Sequence, residues 1–322
     1  MEVEQEKLTV NKSDKTWRDF SQLVIGVEQI IRQERKLSKG KMREKITLIN
    51  SREAFCHYQY VYLPDQGTAI FIGDIHGDSV SVQKILEQER FFQLSEKGEA
   101  VYLVFLGDYT NRGKADIKTL DLVLNLKLKH PNYVYLLRGN HEEIDMGQHY
   151  GFLGSCIKQY GYDRGQYIFQ RVNNFFEHLP SLLITRNGAV AVHGGIPVSP
   201  IKSLKDIKDD EDMMEIRWND PTEEINHIMY NYKRGGNYLF GRTIFDNFMQ
   251  AIGGKILVRS HEYVASGYKL LFDQRLLSIF SNGGKSEESG YQDFILQPKY
   301  AKLDLSKPAE RWTMENIVDI KY

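Results

Sequence analysis

The chain has 322 residues, 42 Lys and Arg against 43 Asp and Glu, a formal net charge of -1 and 41% hydrophobic residues. That length buries a sizeable core in one large or two smaller units, and the near-neutral charge excludes a global attraction to nucleic acid or an acidic membrane. The N-terminus, MEVEQEKLTV, lacks the apolar stretch of a signal peptide, and no later run approaches the ~18 apolar residues of a membrane span.

Two cysteines, Cys56 and Cys156, are too few for a disulfide framework. Neither has an arginine six positions on, so a thiolate phosphatase loop is excluded and buried free thiols are expected. The expectation is a cytoplasmic protein without nucleic-acid or membrane partners.

In chain order, Trp17, Phe20, Val24, Val27 and Ile31 recur at helical spacing ahead of the charged run RQERKLSKGKMREK. This predicts an amphipathic N-terminal helix, segment 1–50, packed on the core of a domain spanning 51–322, with the basic run a solvated face rather than a docking site for a regulatory protein. After Gln66, short β-rich runs each end in a polar cluster: TAIFIGD, AVYLVFLGD, NYVYLLRGN, GAVAVHGG and KILVRSH. Helical patterns SVQKILEQERFF and TLDLVLNLKLK lie between the first three, giving βαβαβ. KLLFDQRLLSIFS and DFILQPKYAKLDL each read as a hairpin. The fold class is α/β (α+β), two packed sheets with helices outside.

The strand ends carry the chemistry. Residues two apart in an extended chain point to one side, so Asp74 and His76 of GDIHGD face a common point. A carboxylate and an imidazole together suit a borderline divalent ion such as Mn, Fe or Zn. The next strands end in GDYTNRG (Asp108, Arg112), RGNHE (Asn140, His141), HGG (His193) and RSHE (His261). Ligand-type side chains at the same end of successive strands are where α/β folds place sites. Asp74, His76, Asp108, Asn140, His193 and His261 are too many donors for one catalytic ion with an open position. Two ions ~3.5–4 Å apart with Asp108 as bridge use them well, and such a pair activates water for in-line attack at phosphorus.

GDIHGD, GDYTNRG, RGNHE, HGG and RSHE, in this order, resemble the phosphoprotein phosphatase (PPP) family of serine/threonine phosphatases within the calcineurin-like metallophosphoesterases. The resemblance runs from about Leu48 to the C-terminus and includes YGFLGSC, EHLPSLLI, RWNDP and RGGNYLFG. It implies a central β-sandwich flanked by helices, and two divalent ions with Mn2+ as first choice and Fe or Zn as alternatives. Asp74, His76 and Asp108 would hold one ion, and Asp108, Asn140, His193 and His261 the other. Arg112 and Arg234 would clamp the substrate phosphate, with Asn140 beside them, and His141 would protonate the leaving oxygen. Substrates would be phosphoserine and phosphothreonine in proteins, and a monomer suffices.

Two departures stand out. The family usually reads GDYVDRG, with an aspartate paired to the acid histidine; here that position is Asn111. An amide is expected to orient His141 by a hydrogen bond but not to stabilise its charged form, with Glu143 or Asp145 as alternative partners. After LLSIFS the family's SAPNY is replaced by Ser281-Asn282-Gly283-Gly284, which predicts a more open and polar site floor. Tyr291 is expected to be packed or exposed, the alternative being that it swings into the site.

GGKS at Gly283 has Ile279 where a P-loop needs glycine and is discarded. His57, His130, His149, His178 and His227 are assigned to surface or capping roles, DIKDDEDMME to a solvated loop or helix face, and Glu142 to support of the ligands. Competing functions are a small-phosphoester or dinucleoside polyphosphate hydrolase with the same dimetal site, phosphotyrosine hydrolysis, and a phosphoprotein-binding pseudophosphatase.

Overall fold

The computed structural model describes residues 16–41, 55–57, 60–207, 210–291 and 297–322, with the backbone alone at 35–41 and 55–57. It opens with helix α1 (Trp17–Lys41), followed by strands β1 (Phe55–His57), β2 (Tyr60–Leu63) and β3 (Thr68–Ile72). The βαβαβ unit continues through α2 (Ser79–Gln88), α3 (Phe91–Glu96), β4 (Val101–Phe105), α4 (Asp116–Lys129) and β5 (Val134–Leu136). Three helices follow, α5 (Ile144–His149), α6 (Phe152–Tyr160) and α7 (Tyr162–Phe176), then β6 (Leu182–Thr185) and β7 (Ala189–Val192). Next come α8 (Asp210–Trp218), β8 (Asp220–Pro221), β9 (Ile228–Tyr230), β10 (Tyr238–Phe240) and α9 (Arg242–Ile252). The chain closes with β11 (Ile256–Arg259), β12 (Tyr268–Leu271), β13 (Leu276–Ile279), β14 (Lys299–Asp304) and β15 (Ile317–Asp319).

The strands form a seven-stranded sheet in the order β1-β2-β6-β7-β11-β13-β12, a five-stranded sheet β15-β14-β3-β4-β5 and a small sheet β8-β10-β9. β3, β4 and β5 run parallel, as helical crossovers require. Their apolar runs are buried on both faces, which is why TAIFI and VYLVF do not alternate with polar residues. Ala69, Phe71, Tyr102 and Val104 face the second sheet, where Leu183, Ala191, Val258 and Leu277 meet them in one apolar layer. The alternate residues Ile70, Ile72, Leu103 and Phe105 face α2, α4 and α7. Val190, Val192, Leu257 and Leu276 line the outer face of the large sheet under α8 and α9.

α1 places Phe20, Leu23, Val24, Val27 and Ile31 in the same cluster as residues of α2, α4, α6 and α7. Its start is capped by Thr16, whose Oγ1 donates to Asp19 Oδ2 at 2.6 Å. Two ion pairs fasten it to its neighbours, Glu28 with Arg171 of α7 and Glu34 with the buried Lys127 of α4 at 2.6 Å, and Glu28 also pairs with Arg32 on its own helix. Residues 42–54, where the expected boundary at 50 falls, lie outside the described residues.

KLLFDQRLLSIFS forms the expected hairpin of β12 and β13, turning through Phe272, Asp273 and Gln274, all at positive φ. Of the second expected hairpin, the first half, Asp293 to Leu296, lies outside the described residues; the second half, β14, pairs antiparallel with β3 and with β15. Local alternation marks a strand but carries no information about a partner so distant in sequence. The acidic stretch enters α8, where Asp212 and Glu215 are buried and Glu215 Oε2 accepts from Val198 N at 2.8 Å. A wholly solvated face is therefore corrected.

Candidate active site

The two βα turns that carry the first ligands touch. A Cβ on Gly107 would lie 2.4 Å from Gly139 N, and Gly107 itself has φ +111°, so only glycine lets GDYTNRG approach RGNHE. His76, Asp108, Asn111, Arg112 and His261 all adopt positive φ, an unusual concentration for non-glycine residues and one typical of functional sites. The turns are held by Glu142, whose carboxylate accepts from Asp108 N at 2.8 Å, Tyr109 N at 3.0 Å and Gly139 N at 2.8 Å. Burial pushes the Glu142 carboxyl up to about 7 against these three donors. Asp74 is fixed by Ser260, whose Oγ donates to Oδ1 at 2.5 Å, and by His261 N at 3.0 Å.

Asp74, His76, Asp108, Asn140, His193 and His261 come together at the strand ends, each 0–7% exposed. His76 Nδ1 donates to Thr110 O at 2.8 Å and His193 Nδ1 to Leu106 O at 3.0 Å. Carbonyls only accept, so each ring turns the lone pair of Nε2 inward. There His76 Nε2 lies 3.6 Å from Asp74 Oδ2 and 3.5 Å from Asp108 Oδ2. His193 Nε2 lies 3.3 Å from Asp108 Oδ1 and 2.9 Å from Asn140 Oδ1, which is also 2.9 Å from His261 Nδ1.

Among Asp74, His76, Asp108 and His193 acceptor thus faces acceptor, and Asp74 Oδ2 is buried with no hydrogen-bond partner; the Asn140 amide meets His193, His261 and Asp108 with its oxygen or, turned over, with its NH2 as donor. Such a nest of lone pairs is repulsive unless a cation sits among them, so the residues fit divalent metal ions. Two groupings have metal-ligand spacing among the described residues, His76 with Asp108 and His141, and Asp108 with His193 and His261. Asp108 is common to both, the geometry a bridging carboxylate needs. Burial holds His193 down to about 3 and His261 well below the ordinary range, which keeps both neutral, the form that ligates a metal. For Asp108, burial and the neighbouring Asp74 push the carboxyl up.

Two guanidiniums flank the nest. Arg112 lies on the Asp74 and Asp108 side, with its guanidinium 5.4 Å from the Tyr150 ring centroid and Nη1 donating to Tyr291 Oη at 2.9 Å. Arg234 lies on the His261 side, its Nε donating to Asp220 Oδ2 at 2.6 Å. The other oxygen of Asp220 accepts from Nη2 of the fully buried Arg259 at 2.7 Å. Arg259 and Asp220 stand inside RSHE and RWNDP, yet nothing in the sequence pairs them. Tyr150 opens the segment YGFLGSC, but nothing in the sequence places it against Arg112.

The partners expected for His141 are corrected. Asn111 does not reach it: the amide oxygen accepts from Phe152 N at 3.0 Å, and the amide nitrogen faces Thr110 Oγ1 at 3.4 Å. Glu143 accepts from Arg217 Nε and Trp218 Nε1, both at 3.0 Å, and Asp145 uses its backbone carbonyl on His149. The Nδ1 of His141 is buried without a partner, between the rings of His76 at 4.7 Å and Tyr150 at 5.3 Å.

The open, polar floor is corrected too. Ser281 and Asn282 are fully buried, donating to Lys299 O and Ile75 O, both at 2.7 Å. The loop beyond is pinned by Ser286 on Asp78 and by Glu288, which accepts from Ser79 N at 2.8 Å. That anchoring brings Tyr291 onto Arg112, so the packed or exposed tyrosine expected from sequence does both, packing on Phe280 and closing over the site. Of the remaining histidines, His130 packs on Phe91, His149 caps α5, and His178 bonds Arg32, while the side chain of His57 lies outside those described.

Residues 67–265 match the family model described as calcineurin-like phosphoesterase. The chain is 29% identical over 218 residues to a catalytic subunit of protein phosphatase 2A from Dictyostelium discoideum, covering 65% of this chain and 67% of that one. It is 30% identical over 253 residues, 76% of its length, to a probable serine/threonine-protein phosphatase of Encephalitozoon cuniculi, of which it spans 53%. Among solved structures, a Saccharomyces cerevisiae protein serine/threonine phosphatase described as similar to human phosphatase PP5 superposes with a TM-score of 0.68 at 23% identity, covering 94% of this chain and 88% of that one. This last likeness is one of fold.

Proposed function

The chain belongs to the calcineurin-like phosphoesterase family, and from that premise we propose that it removes phosphate from phosphoserine and phosphothreonine in proteins. The observation that carries this reading is the nest of lone pairs centred on Asp108, flanked by Arg112 and Arg234. Both curated relatives bear protein phosphatase names, which supports a protein substrate over a dinucleotide.

Two divalent ions held by Asp74, His76, Asp108, Asn140, His193 and His261 would supply Lewis acidity and lower the pKa of water. Their mixed nitrogen and oxygen donors, without thiolate, suit Mn2+, Fe or Zn, with Mn2+ the first choice that the family resemblance implies. Arg112 and Arg234 bind the phosphate oxygens, and their fixed charge offsets the charge of the transition state. His141 delivers a proton to the leaving oxygen of serine or threonine. The balanced charge and the scarcity of cysteine support a cytoplasmic location.

The test is hydrolysis of a phosphoserine peptide by metal-stripped protein, with and without added Mn2+. Turnover restored by Mn2+ is expected. No turnover of peptide or aryl phosphate with any divalent ion would move the reading to phosphoprotein binding alone.

A further inference from the structure

The small sheet β8-β10-β9 leaves β9 on its outer side, paired with β10 alone. Gly241 N donates to His227 O at 2.6 Å and Asn231 N to Asn237 O at 2.8 Å, so both ends of β9 bond inward, toward β10. An antiparallel ladder alternates, so Met229 also bonds inward, while the N–H and C=O of Ile228 and of Tyr230 point away from the sheet. Across that edge neither residue has a main-chain partner among the described residues. The side chains are open too: Ile228 is 46%, Met229 42% and Tyr230 39% exposed. Such an apolar edge is a template for another strand, and proteins usually blunt it with lysine, proline or a bulge. HIMYN contains no lysine or proline, and β9 pairs with β10 residue for residue, without a bulge.

Where the edge leads indicates what lies on it. β9 runs directly into the turn that carries Arg234, whose N donates to Asn231 O at 3.1 Å and whose Nε is fixed on Asp220. Tyr230 is four positions from Arg234, and the intervening Tyr232 and Lys233 are exposed. A chain laid along β9 at about 3.3 Å per residue reaches Arg234 within a few residues. Lys233 sets a second cation beside that end, which suits a chain carrying phosphate.

We infer that β9 is the docking edge for the substrate chain: an extended phosphopeptide adds to it as a further strand, its phosphate on Arg234 and the apolar residues of one flank against Ile228, Met229 and Tyr230. The inference rests on the phosphatase reading above. Main-chain hydrogen bonds supply most of the affinity in this mode of recognition, so the demand on sequence is loose, an extended flank with alternating apolar residues and no proline.

The experiment measures the dissociation constant, by fluorescence anisotropy, of the full chain with Mn2+ and a ten-residue peptide holding the phosphonate analogue of phosphoserine at its centre and valine at alternate positions on both flanks. Each peptide N–H is then methylated in turn. On one flank, methylation at alternate positions should weaken binding roughly three- to tenfold, the worth of one hydrogen bond, with little effect at the positions between. Absence of that alternation overturns the inference. Tyr230→Pro removes only an outward N–H, which an edge strand tolerates, and should weaken the parent peptide by the same factor. An unchanged constant in that variant would mean that the peptide pairs elsewhere, and self-association abolished by Tyr230→Pro with peptide binding intact would assign the edge to a second copy of the chain; both overturn the inference. Because the phosphonate is not hydrolysed, the two readings separate. Alternation without turnover of a phosphoserine peptide leaves the docking edge standing and overturns the phosphatase reading, and turnover without alternation does the reverse.

Discussion

Asp220 is the carboxylate whose loss should be felt most widely. It joins Arg259, whose guanidinium is 0% exposed, at 2.7 Å to Arg234 at 2.6 Å, and it also accepts from Asn231 Nδ2 at 3.1 Å. Asp220→Asn keeps the volume and removes the charge. Breaking a buried pair costs roughly 3–5 kcal/mol because the surviving charge is left uncompensated. Arg259 retains Gly194 O at 2.6 Å and Glu262 at 2.7 Å, the latter one-third exposed, so the cost should fall to about 2–3 kcal/mol. At roughly 2–4 °C per kcal/mol for a domain of this order, the melting temperature should drop by about 4–12 °C. Arg234 loses a charge-assisted anchor at the same time, so the inhibition constant for inorganic phosphate should rise about tenfold or more. Thermal melts and competitive inhibition by phosphate, both with saturating Mn2+, read the two effects. A melting temperature within a degree or two of the parent, or an equal loss in Glu262→Gln, would refute the idea that a buried charge pair anchors this corner.

Phe20→Ala should destabilise the protein by about 3–5 kcal/mol, since Phe20 is 0% exposed beneath α1; activity per folded molecule should hold, and a denaturant titration alongside active-site titration checks it. Tyr291→Phe removes the hydroxyl that engages Arg112 Nη1, so inorganic phosphate should bind roughly two- to tenfold more tightly. Weaker phosphate binding in that variant would mean the hydroxyl contributes to the phosphate site rather than competing for the guanidinium. Chelation should lower the melting temperature and Mn2+ should restore it, by about 2.7 kcal/mol at a hundredfold excess over its dissociation constant. A melt indifferent to Mn2+ would mean the inward-facing acceptors do not hold a metal.

The gathering of these six donor side chains at one place was legible because each sits at the end of an apolar run, where strand periodicity and donor chemistry point the same way. Asp74 and His76 need only the two-residue repeat of an extended chain, and Asp108 needs only the next strand in a βαβ unit. The partners of His141 were not legible. Asn111 is diverted by a backbone N–H 41 residues away, at the start of α6. Tyr291 reaches Arg112 because Ser286 and Glu288 fasten its loop to Asp78 and Ser79, contacts spanning more than two hundred residues. The pairing of Arg259 with Asp220 and the seat of β14 against β3 are likewise tertiary contacts that neither propensity nor spacing encodes.

The left-handed backbone at Asn111, φ +71°, bears on how the site can drift. Asparagine and aspartate are the two residues with side chains that enter this conformation most readily. An aspartate here would keep the bond from Phe152 N through one oxygen and turn the other toward Thr110 Oγ1, which could rotate its hydrogen to donate. Exchange of amide for carboxylate is therefore nearly free of backbone cost, yet it places a full negative charge in the turn next to Arg112. Two lineages differing only at this position would share a fold and part company in the electrostatics of the leaving group. Bulky β-branched residues, by contrast, would be rejected at this turn for conformational reasons before any question of chemistry arose.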